Sequence, residues 1–402
     1  MKIAVVNQPL GNRGDEAAHK ALIRSLIKRF PDAQIDVVFF NENQTMINDF
    51  IVKSDLVRYI NLQGMKKASN KCMKLTMQYD NMGFTLVHPL LRKYNKKIAE
   101  YDCVICAPGG ICMGGFMKWD HIWQLYIAMQ HKIKILYWGR SIGPFSEDDF
   151  EHSEFKRISS CLINYFEYIS LRDDISFEIA KEMKVVPDKT VDSAFLESPD
   201  CCVPQTIKNQ IGANRCVIFV PNELRWHYKY INKSKACIDN FYLCVMDKII
   251  AAFPEHKIIM LPQTCKTAIN DYGYFVELRN KLRYKNDIIV IDEDQSSDIQ
   301  QSIIRCSDFV VGARYHSIVF AINNCVPFLS LSYEHKMRGM LETLNLSDRQ
   351  INIEEIFDGE KVDESILKMV DEKLRNRSSI ENESQKAKCI VEDAFDRMCQ
   401  KI

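Results

Sequence analysis

The chain has 402 residues, of which 53 are Lys or Arg and 53 are Asp or Glu, and 47% of the residues are hydrophobic. This length exceeds that of an ordinary single hydrophobic core and predicts a soluble protein with two domains. The zero net charge argues against a dedicated nucleic-acid-binding protein, because such proteins usually carry an excess of basic residues.

In the first half, short apolar runs alternate with segments of helical spacing, which is the pattern of a parallel α/β sheet. The predicted strands cover residues 2–6, 35–40, 55–62, 102–107, 133–138, 168–171 and 190–195. The predicted helices cover residues 15–30, 147–165 and 176–183. Residues 64–100 are predicted to form peripheral helices, and the pattern assigns them no function.

Residues 198–214 are rich in turn formers and lack periodicity, which predicts a domain boundary. We therefore expect an N-terminal domain over 1–200 and a C-terminal domain over 201–375. A charged helical tail is predicted over 363–402. Its last part, 376–402, is expected to form a helix that can cross back onto the first domain.

The second half repeats the alternation of strands and helices. Its predicted strands cover residues 216–220, 257–261, 288–291, 309–312 and 327–331. Its predicted helices cover residues 240–253, 272–282, 298–306 and 317–324, and residues 332–338 are predicted to be a loop. Both halves are therefore predicted to be Rossmann-like domains of the α/β class.

The cysteines and the hydropathy pattern favour a cytoplasmic protein without a metal centre. Cys103, Cys106 and Cys112 lie close together in sequence, but no His or Cys pair follows them at the spacing of a zinc site. We therefore expect buried, reduced thiols and no bound metal. Residues 1–6 are too short for a signal peptide, and no run of about 18 apolar residues can cross a membrane.

The segment 308–316 combines a buried strand, a short basic loop and the start of an apolar helix. Ligands of parallel α/β sheets bind beyond the carboxyl ends of the strands, where a helix N-terminus adds unpaired N–H groups. Arg314 and His316 lie at this point and predict an anion site with a proton donor. His316 is the candidate general acid or base because the ordinary pKa of histidine is near neutrality. A histidine at a helix N-terminus can also simply form a hydrogen bond with the backbone or line the cleft. His335 and His121 are weaker candidates for that role.

Arg172, Arg314 and Lys336 all follow the carboxyl ends of predicted strands. Guanidinium and ammonium groups suit carboxylate and phosphate oxygens, although Arg172 can also simply pair with a neighbouring Asp on the surface. Three cations around one cavity would repel each other unless an anion of high charge filled it. The pattern therefore favours a phosphorylated carboxylic acid or a nucleoside diphosphate as the ligand.

Two glycine-containing loops follow strands in the first half. The loop around Gly11 and Gly14 is as consistent with a tight turn as with a ligand cradle. The loop that contains Gly109 and Gly110 allows a ligand to approach the backbone closely. Aromatic residues after this loop, such as Trp123, can stack on a sugar ring or form the inner face of a helix.

Several segments together resemble the polysaccharide pyruvyl transferase family. They are Gly11-Asn-Arg-Gly-Asp-Glu-Ala, Ala107-Pro-Gly-Gly, Ser141-Ile-Gly-Pro, Ser170-Leu-Arg-Asp-Asp-Ile-Ser, Val191-Asp-Ser-Ala-Phe, Ser307-Asp-Phe-Val-Val-Gly-Ala-Arg-Tyr-His-Ser-Ile-Val-Phe-Ala, Val326-Pro and Ser332-Tyr-Glu-His-Lys. Their order covers about residues 1–345, and the most specific set is the Arg-x-His turn with Tyr-x-x-Lys after it and Ser-x-Arg-Asp before it.

The resemblance implies two Rossmann-like domains that face each other across a cleft, as in GT-B enzymes, with the acceptor on the first domain. It implies phosphoenolpyruvate as donor, a glycan or lipid-linked saccharide as acceptor, and a cyclic ketal as product in surface polysaccharide biosynthesis. By resemblance, Arg172, Arg314 and Lys336 hold the donor and His316 is the general acid. No metal or cofactor is implied, and contact with the inner face of the membrane is expected to be peripheral at most.

The acceptor side is predicted from fewer signals. Its candidate residues are Asn12, Asp15, Gly109, Gly110 and His121, and Asp15 is also a candidate base. Two other functions remain open from the sequence: a GT-B-type glycosyltransferase that uses a nucleotide sugar, and a carbohydrate-binding protein without catalysis. The first would require a Glu that binds the donor ribose, and none stands at an obvious position in the second half.

Overall fold

A computed structural model describes residues 1–79, 85, 87–114, 116–212, 215–266, 270–282, 287–292, 294–356 and 376–402. The chain forms two compact units. The first unit comprises Met1–Leu10, Ala18–Leu196 and Cys389–Ile402, and the second comprises Gly11–Ala17 and Glu197–Lys388. The main division thus lies close to the predicted boundary at residue 200, whereas Gly11–Ala17, which was expected in the first domain, packs with the second unit.

The first unit is built on a parallel sheet. Its strands are β1 (Lys2–Val6), β2 (Gln34–Phe40), β3 (Val57–Leu62), β4 (Cys103–Cys106), β5 (Ile111–Met113), β6 (Lys134–Ile142), β7 (Tyr168–Leu171) and β8 (Asp188–Lys189). They lie in the order β3-β2-β1-β4-β6-β7-β8, and β5 also pairs with β6. The predicted alternation is confirmed because apolar residues of the strands, such as Ile3 and Val104, are fully buried.

Seven helices begin or lie in the described part of the chain before residue 196. They are α1 (Arg13–Arg29), α2 (Gln44–Phe50), α3 (Met65–Tyr79), α4 (Pro89–Ile98), α5 (Trp119–Gln130), α6 (Phe150–Tyr165) and α7 (Asp174–Glu182). The predicted peripheral helices over 64–100 correspond to α3 and α4, and residues 80–84 and 86 of that range lie outside the described residues.

Two predictions for the first unit were wrong in detail. The strand predicted over 190–195 is replaced by the short β8 and a 3₁₀ turn at Ser193–Leu196. The turn forms because Asp192 accepts a hydrogen bond from the Ala194 amide at 3.0 Å, which bends the backbone out of the sheet. β6 extends to Ile142, beyond the end of the strand predicted over 133–138, and includes Gly139 at a φ of 55°.

The second unit is a second parallel sheet with flanking helices. Its strands are β9 (Arg215–Val220), β10 (His256–Met260), β11 (Ile288–Val290), β12 (Phe309–Gly312), β13 (Phe328–Ser332) and β14 (Gln350–Asn352), in the order β11-β10-β9-β12-β13-β14. Its helices are α8 (Gln205–Ile211), α9 (Lys235–Ala252), α10 (Asp271–Lys281), α11 (Ser297–Arg305), α12 (Tyr315–Asn323), α13 (His335–Thr343) and α14 (Ile353–Ile356), and α15 (Ser378–Cys399) closes the chain.

Three elements of the second half differ from the prediction. α8 lies in the segment that was expected to be an irregular linker, and β14 adds a strand at the edge of the sheet. α13 begins at His335, inside the predicted loop, because Met337, Met340 and Leu341 form a buried face at helical spacing. Of the predicted tail, residues 363–375 lie outside the described residues.

The carboxyl-terminal end of α15 packs in the first unit. The Tyr168 hydroxyl donates to the Ala394 carbonyl at 2.8 Å, and the rings of Trp138 and Phe395 lie edge to face with centroids 5.9 Å apart. No described helix is both long and apolar enough to cross a membrane.

Each sheet contains one point where the strand order reverses. β1 has β2 on one side and β4 on the other, and β9 has β10 and β12 on its two sides. Ligands of open parallel sheets bind beyond the carboxyl ends of such strands. Ligand sites are therefore expected in the loops after β1 and β4 and in those after β9 and β12.

His19 gives the first unit a predicted pH dependence. It lies fully buried on α1, with Nδ1 3.0 Å from Gln8 Oε1 and Nε2 3.2 Å from the Tyr59 hydroxyl. Burial, with the added effect of Lys20, lowers the pKa of His19 from 6.5 to about 3. The unfolded chain therefore binds a proton between these values while the folded chain does not, so the free energy of unfolding decreases as pH falls. At pH 5 the decrease is about 2 kcal/mol relative to neutral pH.

Urea denaturation at pH 7.5 and pH 5 measures this difference. In His19→Gln the part of the decrease that His19 causes should disappear. His88→Gln, which changes an exposed histidine of the same unit, should leave it in place. Equal pH dependence in the two variants would contradict the role assigned to His19.

Candidate active site

Arg314 and His316 occupy the turn between β12 and α12, as the sequence predicted. Arg314 is the residue that precedes the helix, with extended backbone (φ −113°), and His316 lies in its first turn. Both residues are 8% exposed. Gly312 permits the tight turn, because a Cβ at this position would lie 2.1 Å from Ser317 Oγ. The turn thus presents a buried guanidinium and a buried imidazole at the carboxyl edge of the second sheet.

The Arg314 guanidinium is fixed by Asp271, which begins α10. Nη2 of Arg314 donates to Asp271 Oδ1, and Asp271 Oδ2 accepts hydrogen bonds from the amides of Gln263 and Thr264 at 3.0 and 2.9 Å. Burial disfavours the charged guanidinium, but the negative charge of Asp271 outweighs it and raises the pKa of Arg314. Nε of Arg314 is buried without a hydrogen-bond partner in the described part of the chain.

The Gly11–Ala17 segment is held against the loop after β10. The Arg13 amide donates to the Gln263 carbonyl at 2.8 Å, and the Cys265 amide donates to the Gly11 carbonyl at 3.0 Å. Gly11 has a φ of 85°, which favours glycine. Asn12 Oδ1 accepts from the Gly14 amide at 2.7 Å and so stabilises the turn. Of the two interpretations left open by the sequence, the structure shows the tight turn.

A buried ion pair secures the same segment. Arg13 Nη1 lies 2.7 Å from Glu16 Oε2, and both side chains are almost completely buried. Glu16 Oε1 accepts hydrogen bonds from the amide and the hydroxyl of Ser297, both at 3.0 Å. The Glu16 carboxylate therefore ties the start of α1 to the N-terminus of α11. The sequence analysis assigned no role to either residue.

Gly14 lies directly against His316. A Cβ added to Gly14 would lie 1.8 Å from both Cγ and Nδ1 of the His316 ring. The ring also contacts Tyr315, which meets it edge to face at a centroid distance of 5.0 Å, and Phe320, whose ring centroid lies 6.3 Å away. The position of the imidazole thus depends on a residue that is 302 positions away in the sequence, 316 less 14.

Lys336 lies in the first turn of α13 and not in a loop. Its Nζ is 2.9 Å from Glu334 Oε1 and 5.7 Å from the centroid of the Tyr315 ring. Burial alone would raise the pKa of Glu334, but the ammonium of Lys336 outweighs it and holds that pKa below its usual value. The strands that precede Arg314 and Lys336 are neighbours, because β12 pairs with β13. His335 is exposed at the start of α13.

The loop after β9 contributes a residue that the sequence analysis missed. The Trp226 ring lies 5.8 Å from the guanidinium carbon of Arg314. Its Nε1 donates to Asn222 Oδ1 at 2.9 Å, and Asn222 Nδ2 donates to the Ala313 carbonyl at 3.3 Å. Trp226 is 41% exposed. In the sequence, Trp226 is distinguished only as part of an aromatic cluster in a segment that lacks the spacing of a helix or a strand.

Arg172 lies in the first unit, directly after the end of β7. Its Nη1 donates to Asp192 Oδ2 at 2.5 Å, and the side chains are 6% and 1% exposed. The adjacent Asp173 caps α7 by accepting from the Ser176 amide at 2.9 Å, and it also accepts from the Ser141 hydroxyl at 2.6 Å. Arg172 therefore pairs with a buried carboxylate from the following turn and not with a neighbouring surface Asp.

Each of the three predicted cations has a carboxylate partner in its own unit. The pairs are Arg172 with Asp192, Arg314 with Asp271, and Lys336 with Glu334. The carboxylates offset the positive charges, so the cations alone do not require an anion of high charge. The cations still offer N–H donors to an anion, but their number does not define its charge.

The loop with Gly109 and Gly110 lies beside the reversal point of the first sheet. Arg140 is 1% exposed and donates to the carbonyls of Asn7 and Ala107 from Nη1, at 2.7 and 2.9 Å, and to that of Gly110 from Nε at 3.0 Å. It therefore holds the loops after β1 and β4 together. A Cβ on Gly110 would meet nothing within 4 Å, so open space adjoins this backbone.

The aromatic residues after this loop belong to the core. Trp123 is fully buried and packs against Phe40 and Tyr94, with ring centroids 6.1 and 5.4 Å apart. The interpretation as the inner face of a helix is confirmed, and Trp123 is not available to a sugar. His121 is half-buried in the first turn of α5, with Nδ1 3.6 Å from Cys112 Sγ. Asp15 is half-buried in the first turn of α1.

The cysteines are free thiols within the described residues, and Cys103, Cys106 and Cys112 are buried as predicted. A hydrogen bond from Cys106 and the charge of Arg140 hold the pKa of Cys112 below its usual value despite burial. Among the residues that the structure describes, no three His, Cys, Asp or Glu side chains are grouped to hold a metal ion.

Comparison with known proteins identifies the family. The model of the polysaccharide pyruvyl transferase family matches residues 12–335. The chain belongs to this family. It is also similar to the amylovoran biosynthesis protein AmsJ of Erwinia amylovora, with 24% identity over 96% of this chain and 95% of that protein. The matched range contains Arg172, Arg314 and His316, and Lys336 follows directly after it.

Solved structures with low sequence identity share the fold over the whole chain. The UDP-GlcNAc 2-epimerase of Methanocaldococcus jannaschii has a TM-score of 0.57 at 12% identity and covers 100% of this chain and 99% of that chain. The Arabidopsis thaliana protein UGT89C1 has a TM-score of 0.56 at 11% identity, with 99% of each chain covered. These similarities support the GT-B-like fold class of two parallel-sheet domains.

Proposed function

We propose that this member of the family transfers the pyruvyl group of phosphoenolpyruvate to two hydroxyls of one sugar in a surface polysaccharide or its precursor. The observation that carries the proposal is the Arg314–His316 turn, which places a buried guanidinium and a buried imidazole side by side at the carboxyl edge of the second sheet. Family membership and the similarity to an amylovoran biosynthesis protein support the reaction class.

Arg314 and Lys336 are proposed to bind the charged groups of the donor. The Arg314 guanidinium is buried and held by Asp271, so its remaining N–H groups are oriented before the donor arrives. Such hydrogen bonds to a phosphate or carboxylate are stronger than neutral ones. Lys336 offers a compact charge from the next strand along. The resemblance of Ser170-Leu-Arg-Asp-Asp to the family pattern supports Arg172 as a further donor contact.

The reaction begins with proton transfer to the donor. His316 in its protonated form gives a proton to the CH₂ carbon of phosphoenolpyruvate, and the adjacent carbon becomes electrophilic. The first sugar hydroxyl forms a C–O bond to that carbon and loses its proton to a base. Asp15, in the first turn of α1, is the candidate for this base that the sequence offers. Proton transfer by a positioned side chain accelerates such a step by roughly 100- to 10,000-fold.

The second hydroxyl of the same sugar then closes the ring. Its oxygen forms a second C–O bond to the same carbon, the C–O bond to phosphate breaks, and phosphate leaves with the electron pair and takes up the hydroxyl proton. The cations stabilise the charge that develops on the leaving phosphate. This step is effectively intramolecular because both hydroxyls belong to one bound sugar.

A mass measurement tests the proposal. The protein is incubated with phosphoenolpyruvate and candidate oligosaccharides, and released phosphate is assayed in parallel. We expect one saccharide to gain the mass of pyruvic acid less one water, with one phosphate released for each product. Transfer of a sugar from a UDP-sugar, without any phosphoenolpyruvate-dependent product, would overturn the proposal in favour of a glycosyltransferase.

A further inference from the structure

The loop after β9 holds an exposed indole ring against the buried guanidinium of the Arg-x-His turn. Trp226 is 41% exposed, whereas Arg314 is 8% exposed. The guanidinium carbon of Arg314 lies 5.8 Å from the centroid of the Trp226 ring. The ring is thus in contact with a cation on one part of its surface and with solvent on another.

The backbone of this loop is strained at Leu224. This residue has a φ of 43°, in the left-handed region that favours glycine, and its side chain is fully buried. The conformation is unfavourable for a bulky side chain. Strained residues of this kind cluster at functional sites, where the surrounding structure enforces them. The strain therefore directs attention to what the loop holds in place.

The buried side chain of Asn222 enforces the conformation of the loop. Its Oδ1 accepts hydrogen bonds from Trp226 Nε1 at 2.9 Å and from the Leu224 amide at 3.3 Å. Its Nδ2 donates to the carbonyl of Ala313, the residue before Arg314, at 3.3 Å. One side-chain amide therefore fixes the indole to the turn that carries the guanidinium.

A ring contact can orient Arg314 without using its hydrogen-bond donors. A guanidinium is attracted to the electron-rich face of an aromatic ring, whereas its N–H groups form hydrogen bonds in the guanidinium plane. Asp271 already accepts such a hydrogen bond from Nη2 of Arg314. The indole restricts the guanidinium from a different direction, so the two contacts together determine where its N–H groups point.

We propose that Trp226 forms one wall of the donor site, where it holds the Arg314 guanidinium in place and covers the anion that Arg314 binds. Naming that anion phosphoenolpyruvate rests on the function proposed above. The carboxylate of this donor is conjugated with its C=C bond, and the resulting flat face suits an indole ring. A ring that covers the contact also excludes water, which strengthens the charged hydrogen bonds beneath it.

Intrinsic fluorescence tests the wall without any catalysis. Trp226 is the most exposed of the four tryptophans, because Trp119, Trp123 and Trp138 are at most 3% exposed. Quenching of the emission by acrylamide is measured with increasing phosphoenolpyruvate, and with sodium chloride at matched ionic strength. We expect phosphoenolpyruvate to protect the emission along a saturation curve and chloride to give no protection. The protection should be absent in Trp226→Phe.

Steady-state kinetics separate a donor-site wall from a merely structural residue. In Trp226→Ala we expect the Michaelis constant for phosphoenolpyruvate to rise by roughly 2- to 30-fold, the range of a cation–π contact, and that for the saccharide to change little. Trp226→Phe keeps an aromatic face and should restore most of the donor binding. Tyr228→Ala is the matched control, since it removes a ring that is 75% exposed in the same loop, and both constants should be unchanged.

The possible results distinguish the wall from the proposed reaction. Pyruvyl transfer with an unchanged Michaelis constant for phosphoenolpyruvate in Trp226→Ala would overturn the wall and leave the reaction in place. So would a lower melting temperature of this variant with unchanged donor binding, because Trp226 would then be only structural. Saturable protection that Trp226→Phe abolishes, without any pyruvylated product, would support the wall and overturn the reaction. Absence of protection in the unmodified protein would overturn the wall.

Discussion

Replacing Gly14 with alanine is expected to lower kcat as strongly as replacing His316 itself, by roughly 100- to 10,000-fold. The new methyl group would occupy a point 1.8 Å from the His316 ring, so the imidazole must rotate out of its place. An imidazole in another position cannot deliver its proton to the donor carbon. The Michaelis constant for phosphoenolpyruvate should change little in either variant, because neither replacement removes a cation.

A double-mutant cycle distinguishes this effect from general damage. In a His316→Ala background the methyl group of Gly14→Ala has room, so it should neither lower kcat further nor destabilise the protein. In the unmodified background the same replacement should cost about 1–3 kcal/mol of unfolding free energy, as overpacking usually does. His256→Ala is the matched control, since it removes a histidine that pairs with Asp308 in the same unit. Normal kcat in Gly14→Ala would refute the role of His316.

Replacing Arg314 with lysine should raise the Michaelis constant for phosphoenolpyruvate by roughly 10- to 100-fold, because a hydrogen bond to a charged group contributes about 1.5–3 kcal/mol. Lysine keeps the charge but loses the planar fork whose one arm is held by Asp271. Turnover should fall as well, since Arg314 is also proposed to stabilise the leaving phosphate. Initial rates at varied donor concentration separate the two effects.

Asp271→Asn tests whether Asp271 holds the Arg314 guanidinium in place. The replacement weakens the hydrogen bond to the guanidinium and the two hydrogen bonds that backbone amides of the loop after β10 donate to Asp271. We therefore expect the free energy of unfolding to fall by about 3–5 kcal/mol and the Michaelis constant for phosphoenolpyruvate to rise. Arg215→Lys is the control for Arg314→Lys, because it makes the same replacement in an exposed pair with Asp308 where β9 begins. If the Michaelis constant for phosphoenolpyruvate is the same in Arg314→Lys and Arg215→Lys, Arg314 does not bind the donor.

The sequence was sufficient where local patterns determine structure. Short apolar runs located most of the strands, and the Arg-x-His turn followed β12 as expected. Errors arose where a side chain overrides the pattern, as with Asp192, whose hydrogen bond turns the strand predicted over 190–195 into a 3₁₀ turn. The start of α13 was missed although Met337, Met340 and Leu341 have helical spacing, because the segment is short.

The partners of the candidate site could not be predicted because they are distant in sequence. Asp271 and Arg314 meet only because β10 and β12 flank β9 in the folded sheet. Gly14 packs with the second unit although most of its sequence neighbours belong to the first, and these contacts leave no local pattern.

The pairing of each cation with a carboxylate has a consequence for how the donor is captured. In the second unit, Arg314 with Asp271 and Lys336 with Glu334 are dipoles and not isolated charges. The field of a dipole decays faster with distance than that of a single charge, and at physiological ionic strength the Debye length is about 8 Å. An approaching anion therefore gains little long-range attraction. If the proposed donor binds here, its selection relies on hydrogen bonds that form only on contact.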